Sequence, residues 1–334
     1  MKTQEILEGR VLAYQNPRLI RIIKDIKRQK KELLEAEEEL RNITNKQRKR
    51  RKINFINSLK ECIGWLLLDC CEYKEGLYFY RSLPWKNCAE CKYVGIGRAL
   101  MEMGYYVDAK RILKKGLKRF PESSYLWIIL GFLHYRLDHN FEALKYFETA
   151  LKFEPKNRNA FYGKALSLNS LGCYEEAAEI LINLIERWPD NHEYLLQMGY
   201  SLSVQGYDED AISFYKRAKD KGYLSPNLYD GLYCTYMNLG LEEAALEMAE
   251  EGLREFPDVP FMYANLCEGY FEKGWIDEAR NVLQQGLKKF PFDESIKEIL
   301  EKIEDETDDS DKGKKPPIIG LLLFLSLIQK KLRR

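Results

Sequence analysis

Histidine is scarce in this chain. His134, His139 and His192 are the only three among 334 residues, and their spacing makes neither a metal-ligand cluster nor a catalytic triad. No Gly-rich run of the kind that cradles phosphate occurs. With 21 Gly and 11 Pro, the composition is neither collagen-like nor generally low-complexity. A simple membrane-spanning helix needs about 20 apolar residues. The apolar segment from Ile318 to Ile328 would rise only about 16 Å as a helix. The start of the chain lacks a charged segment, apolar core and small-residue cleavage site, so secretion and a disulfide framework are not expected. The eight cysteines then read as reduced thiols. Enzymatic function, catalytic residues and a cofactor are not expected.

The charge is sparse in net terms and strongly polarised in detail. The formal balance is +1, yet residues 1–60 carry 17 Lys or Arg against 8 Asp or Glu, a balance of +9, and the remainder carries −8. The basic end suits an acidic surface, whereas the rest makes a poor general nucleic-acid binder.

Internal periodicity is the dominant signal. Ala109, Ala143, Ala177, Ala211, Ala245 and Ala279 recur every 34 residues. Twelve residues after each lie Pro121, Pro155, Pro189, Tyr223, Pro257 and Pro291, and five before each lie Gly104, Asp138, Gly172, Gly206, Gly240 and Gly274. Within the last unit Tyr263, Leu266, Cys267 and Tyr270 make an i, i+3, i+4, i+7 stripe, answered by Ile276, Ala279, Leu283 and Leu287. The small residues permit close helix approach, the turn glycines can take positive φ, and the prolines stop a helix.

This pattern resembles the tetratricopeptide-repeat (TPR) family. The clearest unit runs from Ser124 to Asn157, with Trp127, Leu130, Gly131, Ala143, Phe147, Ala150 and Pro155 at family positions. The resemblance implies an all-α, right-handed superhelical solenoid with an N-terminal helical extension. Six repeats span 90–293, preceded by a basic extension over 1–54 and a degenerate repeat or cap over 55–89. Gly64, Gly76 and Tyr80 carry the spacing of that degenerate unit. A polar capping helix over 294–306, a charged linker over 307–317 and an apolar-basic tail over 318–334 follow. Asp138 and Tyr223 break the pattern, and Leu184 stands where a small residue is expected, which would require a widened seam.

The resemblance also implies a concave groove lined by the first helices of the repeats. Groove positions map to Tyr125, Ile128, Phe132, Tyr135 and Arg136, then Tyr162, Leu166, Asn169 and Ser170, then Leu196, Tyr200 and Ser203. Later positions are Asn227, Asp230, Cys234, Met237 and Asn238, then Phe261, Glu268, Phe271 and Glu272, so the groove reads as apolar early and acidic late. Tyr presents a large ring with a polar handle, which suits pockets for an amphipathic helix or extended peptide. Aromatics also fill repeat seams, and both readings stand. Arg98 and Arg136 are basic, but the Lys, Arg and Asn pattern of a two-carboxylate clamp is absent.

The ends set the context. Residues 17–46 read as one long helix in which Ile26, Leu33 and Leu40 repeat every seven residues, a partial coiled-coil pattern broken by Lys30 and Glu37. Lys46, Arg48, Lys49, Arg50, Arg51 and Lys52 are a candidate electrostatic contact for RNA, anionic lipid or an acidic protein, with a solvated charge run as the alternative. The tail 318–334 suits membrane contact or docking on protein. Cys70, Cys71, Cys88 and Cys91 could supply thiolates to zinc, although adjacent Cys70 and Cys71 point apart on a helix; otherwise they are packing residues and free thiols. The expected function is a protein-protein interaction scaffold at a cytoplasmic location, recruited to a membrane through its tail. An RNA-associated structural protein using the basic extension is the alternative.

Overall fold

The computed structural model describes residues 17–84 and 89–308, and among these the regular structure is entirely α-helical. The chain divides into two compact units, Met1–Arg187 and Trp188–Arg334. In each, helix pairs stack as a right-handed solenoid.

The first unit contains α1 (Pro17–Arg41), α2 (Lys46–Asp69), α3 (Tyr73–Ser82), α4 (Ala89–Glu102), α5 (Tyr106–Arg119), α6 (Ser124–Tyr135), α7 (Asn140–Phe153), α8 (Arg158–Ser170) and α9 (Tyr174–Arg187). The second contains α10 (His192–Val204), α11 (Asp208–Asp220), α12 (Pro226–Asn238), α13 (Glu242–Glu255), α14 (Pro260–Glu272), α15 (Ile276–Lys289) and α16 (Glu294–Asp308).

The expected helix over 17–46 ends at Arg41, and the chain folds back on itself. Asn45 caps α2 by accepting from the Arg48 amide at 3.0 Å, which starts a new helix after a four-residue link. Ile23, Ile26, Leu33 and Ala36 of α1 then bury against Ile56, Leu59, Ile63 and Leu67 of α2. The heptad pattern in α1 is therefore the seam of a helical hairpin within the chain. Helix α2 runs unbroken across residues 54 and 55.

Repeat turns follow one hydrogen-bond scheme. The Gly104 amide donates to Met101 O at 3.0 Å and the Tyr105 amide to Leu100 O at 2.9 Å, closing a helix end that needs a residue at positive φ. Asp138 keeps the same bonds at φ 56°, and Cys71 keeps them at φ 62°. Cys71 thus ends α2 as the turn glycines end later first helices. The pair α2/α3 is accordingly built like a repeat. At the other irregular position, Gly222 at φ 77° ends α11 where the proline pattern lapses, and Tyr223 stacks on His192 with centroids 4.0 Å apart.

The core is organised by aromatic rings held between glycines. Phe147 is fully buried between Gly131 of its own repeat and Gly163 of the next. A Cβ added at Gly131 would sit 2.6 Å from the Phe147 ring, and one at Gly163 closer still. Tyr215 lies likewise between Gly199 and Gly231, and Tyr80 between Gly64 and Gly95. The recurrence at Tyr80 extends the packing scheme of the six aligned repeats into the degenerate one. A second pairing sets Tyr93, Tyr229 and Tyr263 against Gly116, Gly252 and Gly286, with Cβ separations of 2.9, 2.9 and 3.1 Å if alanine were placed there. Leu184 is buried with Leu181 and Ile185 on α9.

Candidate functional site

In the first unit α4, α6 and α8 touch in succession, forming one layer, while α5, α7 and α9 pair with them on the other side. The groove candidates of α6 separate by burial. Tyr125 is 47% exposed, Phe132 and Tyr135 are half-buried, and Ile128 is 3% exposed within the core. On α8, Tyr162 is half-buried and Leu166 buried. Tyr125, Phe132, Tyr135 and Tyr162 therefore retain surface, whereas Ile128 and Leu166 serve the seam. Phe132 meets the edge of Phe147 at 5.0 Å between centroids, so the glycine-clamped ring supports the half-buried one.

The two arginines near this face are already engaged. Arg136 donates to Glu102 at 2.7 Å and Arg98 to Asp69 at 2.9 Å, with the Arg98 guanidinium 5.2 Å from the Trp65 ring centroid. A free carboxylate arriving here would compete with partners already in place. Ion pairing thus leaves the early face predominantly aromatic.

His134 lies one position before Tyr135 on the buried side of α6, 4% exposed, with its ring 4.9 Å from Tyr146 and 5.6 Å from His139. Neither ring nitrogen has a hydrogen-bond partner within the protein. Burial, together with Lys110, His139 and Lys114, holds its pKa below the ordinary histidine value against the opposing charge of Glu142.

In the second unit Leu196 is buried and Tyr200 is 44% exposed, with Val204 exposed one turn later. The late groove is less acidic in structure than in sequence. Helix α16 packs on α14, and its Lys302 donates to Glu268 at 3.0 Å and to Glu272 at 2.9 Å. Asp230 accepts from Asn265 at 2.9 Å. The sequence signal that could have shown this is Lys302 lying 34 residues beyond Glu268, one repeat length along.

At the basic end, Lys46, Arg48, Lys49, Arg50 and Arg51 are all exposed on the first turns of α2. Among the described residues they have no carboxylate at ion-pair distance. Lys52 differs, pairing with Glu39 at 2.6 Å and lying 5.3 Å from the Phe55 ring centroid.

The cysteines do not converge among the described residues. Cys70 is buried, and burial plus the neighbouring Asp69 charge push its thiol up to about 11, away from the thiolate a metal requires. Cys71 is exposed and Cys91 half-buried. Cys88 and the tail 318–334 lie outside the described residues. Among those described, no group of three His, Cys, Asp or Glu could hold a metal ion, and no helix is long and apolar enough to cross a membrane.

Residues 124–157 match the family model for the tetratricopeptide repeat. Protein O-mannosyl-transferase TMTC3 of Homo sapiens is 28% identical over 171 residues, covering 50% of this chain and 19% of that protein. The peroxisomal targeting signal receptor of Candida glabrata is 27% identical over 127 residues, covering 38% of this chain and 20% of that one. The chain thus spans about a fifth of the length of these relatives. Among solved structures, the APC/C hetero-tetramer Cut9–Hcn1 aligns with a TM-score of 0.64 at 14% identity, over 75% of this chain and 52% of that one. The type IV pilus biogenesis factor PilW aligns at 0.58 and 17% identity, over 64% and 99%. At these identities the structural likeness is one of fold.

Proposed function

We propose that this chain, which belongs to the tetratricopeptide-repeat family, is a protein-interaction scaffold whose first unit captures an apolar or amphipathic peptide. The binding face is that of α6 and α8. The carrying observation is the set of exposed Tyr125 and half-buried Phe132, Tyr135 and Tyr162, while Arg98 and Arg136 are occupied by Asp69 and Glu102. An aromatic face without a free cation favours apolar side chains over a terminal carboxylate. Leu196 and Tyr200 belong to the second unit and are not needed for this reading. The tail 318–334 is the segment available for membrane recruitment.

The test is binding of the full chain to arrayed amphipathic and acidic-tailed peptides, repeated with Tyr125→Ala and Tyr135→Ala. Loss of an interface aromatic anchor costs about 1–2 kcal/mol or more, so each variant should weaken the selected peptide by roughly tenfold with helical content unchanged. Unaltered affinity in both variants, or selection of acidic-tailed peptides only, would move the site elsewhere.

A further inference from the structure

Helix α2 carries a second surface, independent of the groove. Arg48, Arg51, Phe55, Ser58 and Cys62 recur at i, i+3, i+7, i+10 and i+14, and all five are exposed. This stripe runs down one side of the helix with no acidic residue in it. Phe55 is 41% exposed, and Lys52 sits 5.3 Å from its ring centroid. Around the stripe, Lys46, Lys49 and Arg50 complete a cationic tip, joined across the short link by exposed Arg41.

This tip contrasts with cations elsewhere in the unit. Lys30, Lys60, Arg98, Arg136 and Lys164 each hold a carboxylate. The cations of the tip hold none among the described residues, and they crowd the positive end of the α2 dipole with no acidic residue in its first turn. That arrangement opposes the stability of the helix and is relieved by an external anion.

We propose that the face Arg48, Arg51 and Phe55, with the surrounding tip, binds single-stranded RNA: the cations follow the phosphates and a base stacks on Phe55. The distribution of charge favours this partner over a membrane. An interfacial helix separates an apolar face from a charged one. Here the cations surround the helix, and Ile53, the other exposed apolar residue, lies about 160° around it from Phe55 at 100° per residue. A flexible strand can follow such a tip, and an exposed ring among cations offers the π-face that single strands use. An acidic peptide would satisfy the charges and leave Phe55 without a role.

Fluorescence anisotropy of the full chain with a mixed-sequence RNA of about 20 nucleotides tests the proposal. If six phosphates are engaged, affinity should fall about 300-fold between 50 and 200 mM salt, from a slope of roughly −0.7 per contact. Phe55→Leu keeps the apolar volume, removes the ring and should weaken RNA binding about tenfold. Arg48→Ala with Arg51→Ala should reduce the salt slope by about 1.4. Phosphatidylserine vesicles should not bring the protein up in flotation, and polyglutamate should compete poorly. Absence of RNA binding, wild-type affinity in Phe55→Leu, flotation with the vesicles, or equal competition by polyglutamate would each overturn the proposal.

Discussion

Replacing Gly131 by alanine should destabilise the first unit, although Gly→Ala inside a helix ordinarily gains about 1 kcal/mol. The new Cβ would lie 2.6 Å from Phe147 Cε1, and the ring has no room to retreat because Gly163 closes its other side. Overpacking of this kind costs about 1–3 kcal/mol, so a middle value of about 2 leaves a net loss of about 1 kcal/mol. The chain itself supplies the control. One repeat on, the equivalent pair is Ala165 and Leu181, both fully buried. In a Phe147→Leu background, Gly131→Ala recreates that combination and should recover the helix-propensity gain of about 1 kcal/mol. The substitution therefore changes sign with its neighbour, giving a coupling energy of about 2 kcal/mol in a double-mutant cycle. Urea unfolding followed by circular dichroism, with hydrogen exchange at the α6 amides, measures it. A stabilising Gly131→Ala in the wild-type background, or a coupling near zero, would refute the clamp.

Two further outcomes follow from individual side chains. Asp138→Gly should raise stability by about 1 kcal/mol in the same urea assay, because Asp138 already sits at φ 56° in a turn whose equivalents are mostly glycine. Stability should also fall as pH drops through the ordinary histidine range. His134 has its folded pKa lowered, so the unfolded chain binds the proton more readily and acid favours unfolding. The groups facing it are Lys110 and Lys114 of α5, Glu142 and Tyr146 of α7, and His139 in the turn. A neutral His134→Gln variant should show a flatter thermal-midpoint profile between about pH 7.5 and pH 5.5. An unchanged slope would assign the acid sensitivity to other groups.

The repeats were legible because a 34-residue period fixes helices, turns and small residues together, and even the degenerate pair announced itself through Gly64 and Tyr80. The groove was legible only in outline. Helix α6 reads SYLWIILGFLHY, nearly apolar throughout, so helical spacing cannot separate a side chain facing a partner from one facing the next helix. Ile128 and Tyr125 occupy the same sequence stripe, yet one is buried and the other nearly half exposed. Likewise Glu268 and Glu272 read as an acidic groove until α16 lays Lys302 across them.

What the sequence pattern misses is that the repeats conserve a volume more than a residue. Across the six units the residues at these two positions are Gly97 and Leu113, Gly131 and Phe147, Ala165 and Leu181, Gly199 and Tyr215, Tyr233 and Ala249, and Cys267 and Leu283. In the fifth pair the large side chain comes from the first helix and the small one from the second, reversing the others. Both Tyr233 and Ala249 are buried. That exchange bears on the proposed binding face, which the first helices supply. When the second helix fills the seam, as Phe147 does, a first-helix ring such as Phe132 can rest on it and keep part of its surface open. When the first helix supplies the large residue, as at Tyr233, its hydroxyl reaches instead toward Glu268 at 3.5 Å and the ring is spent on packing. At α12 the first-helix ring of Tyr233 is thus buried, whereas at α6 Phe132 keeps part of its surface open.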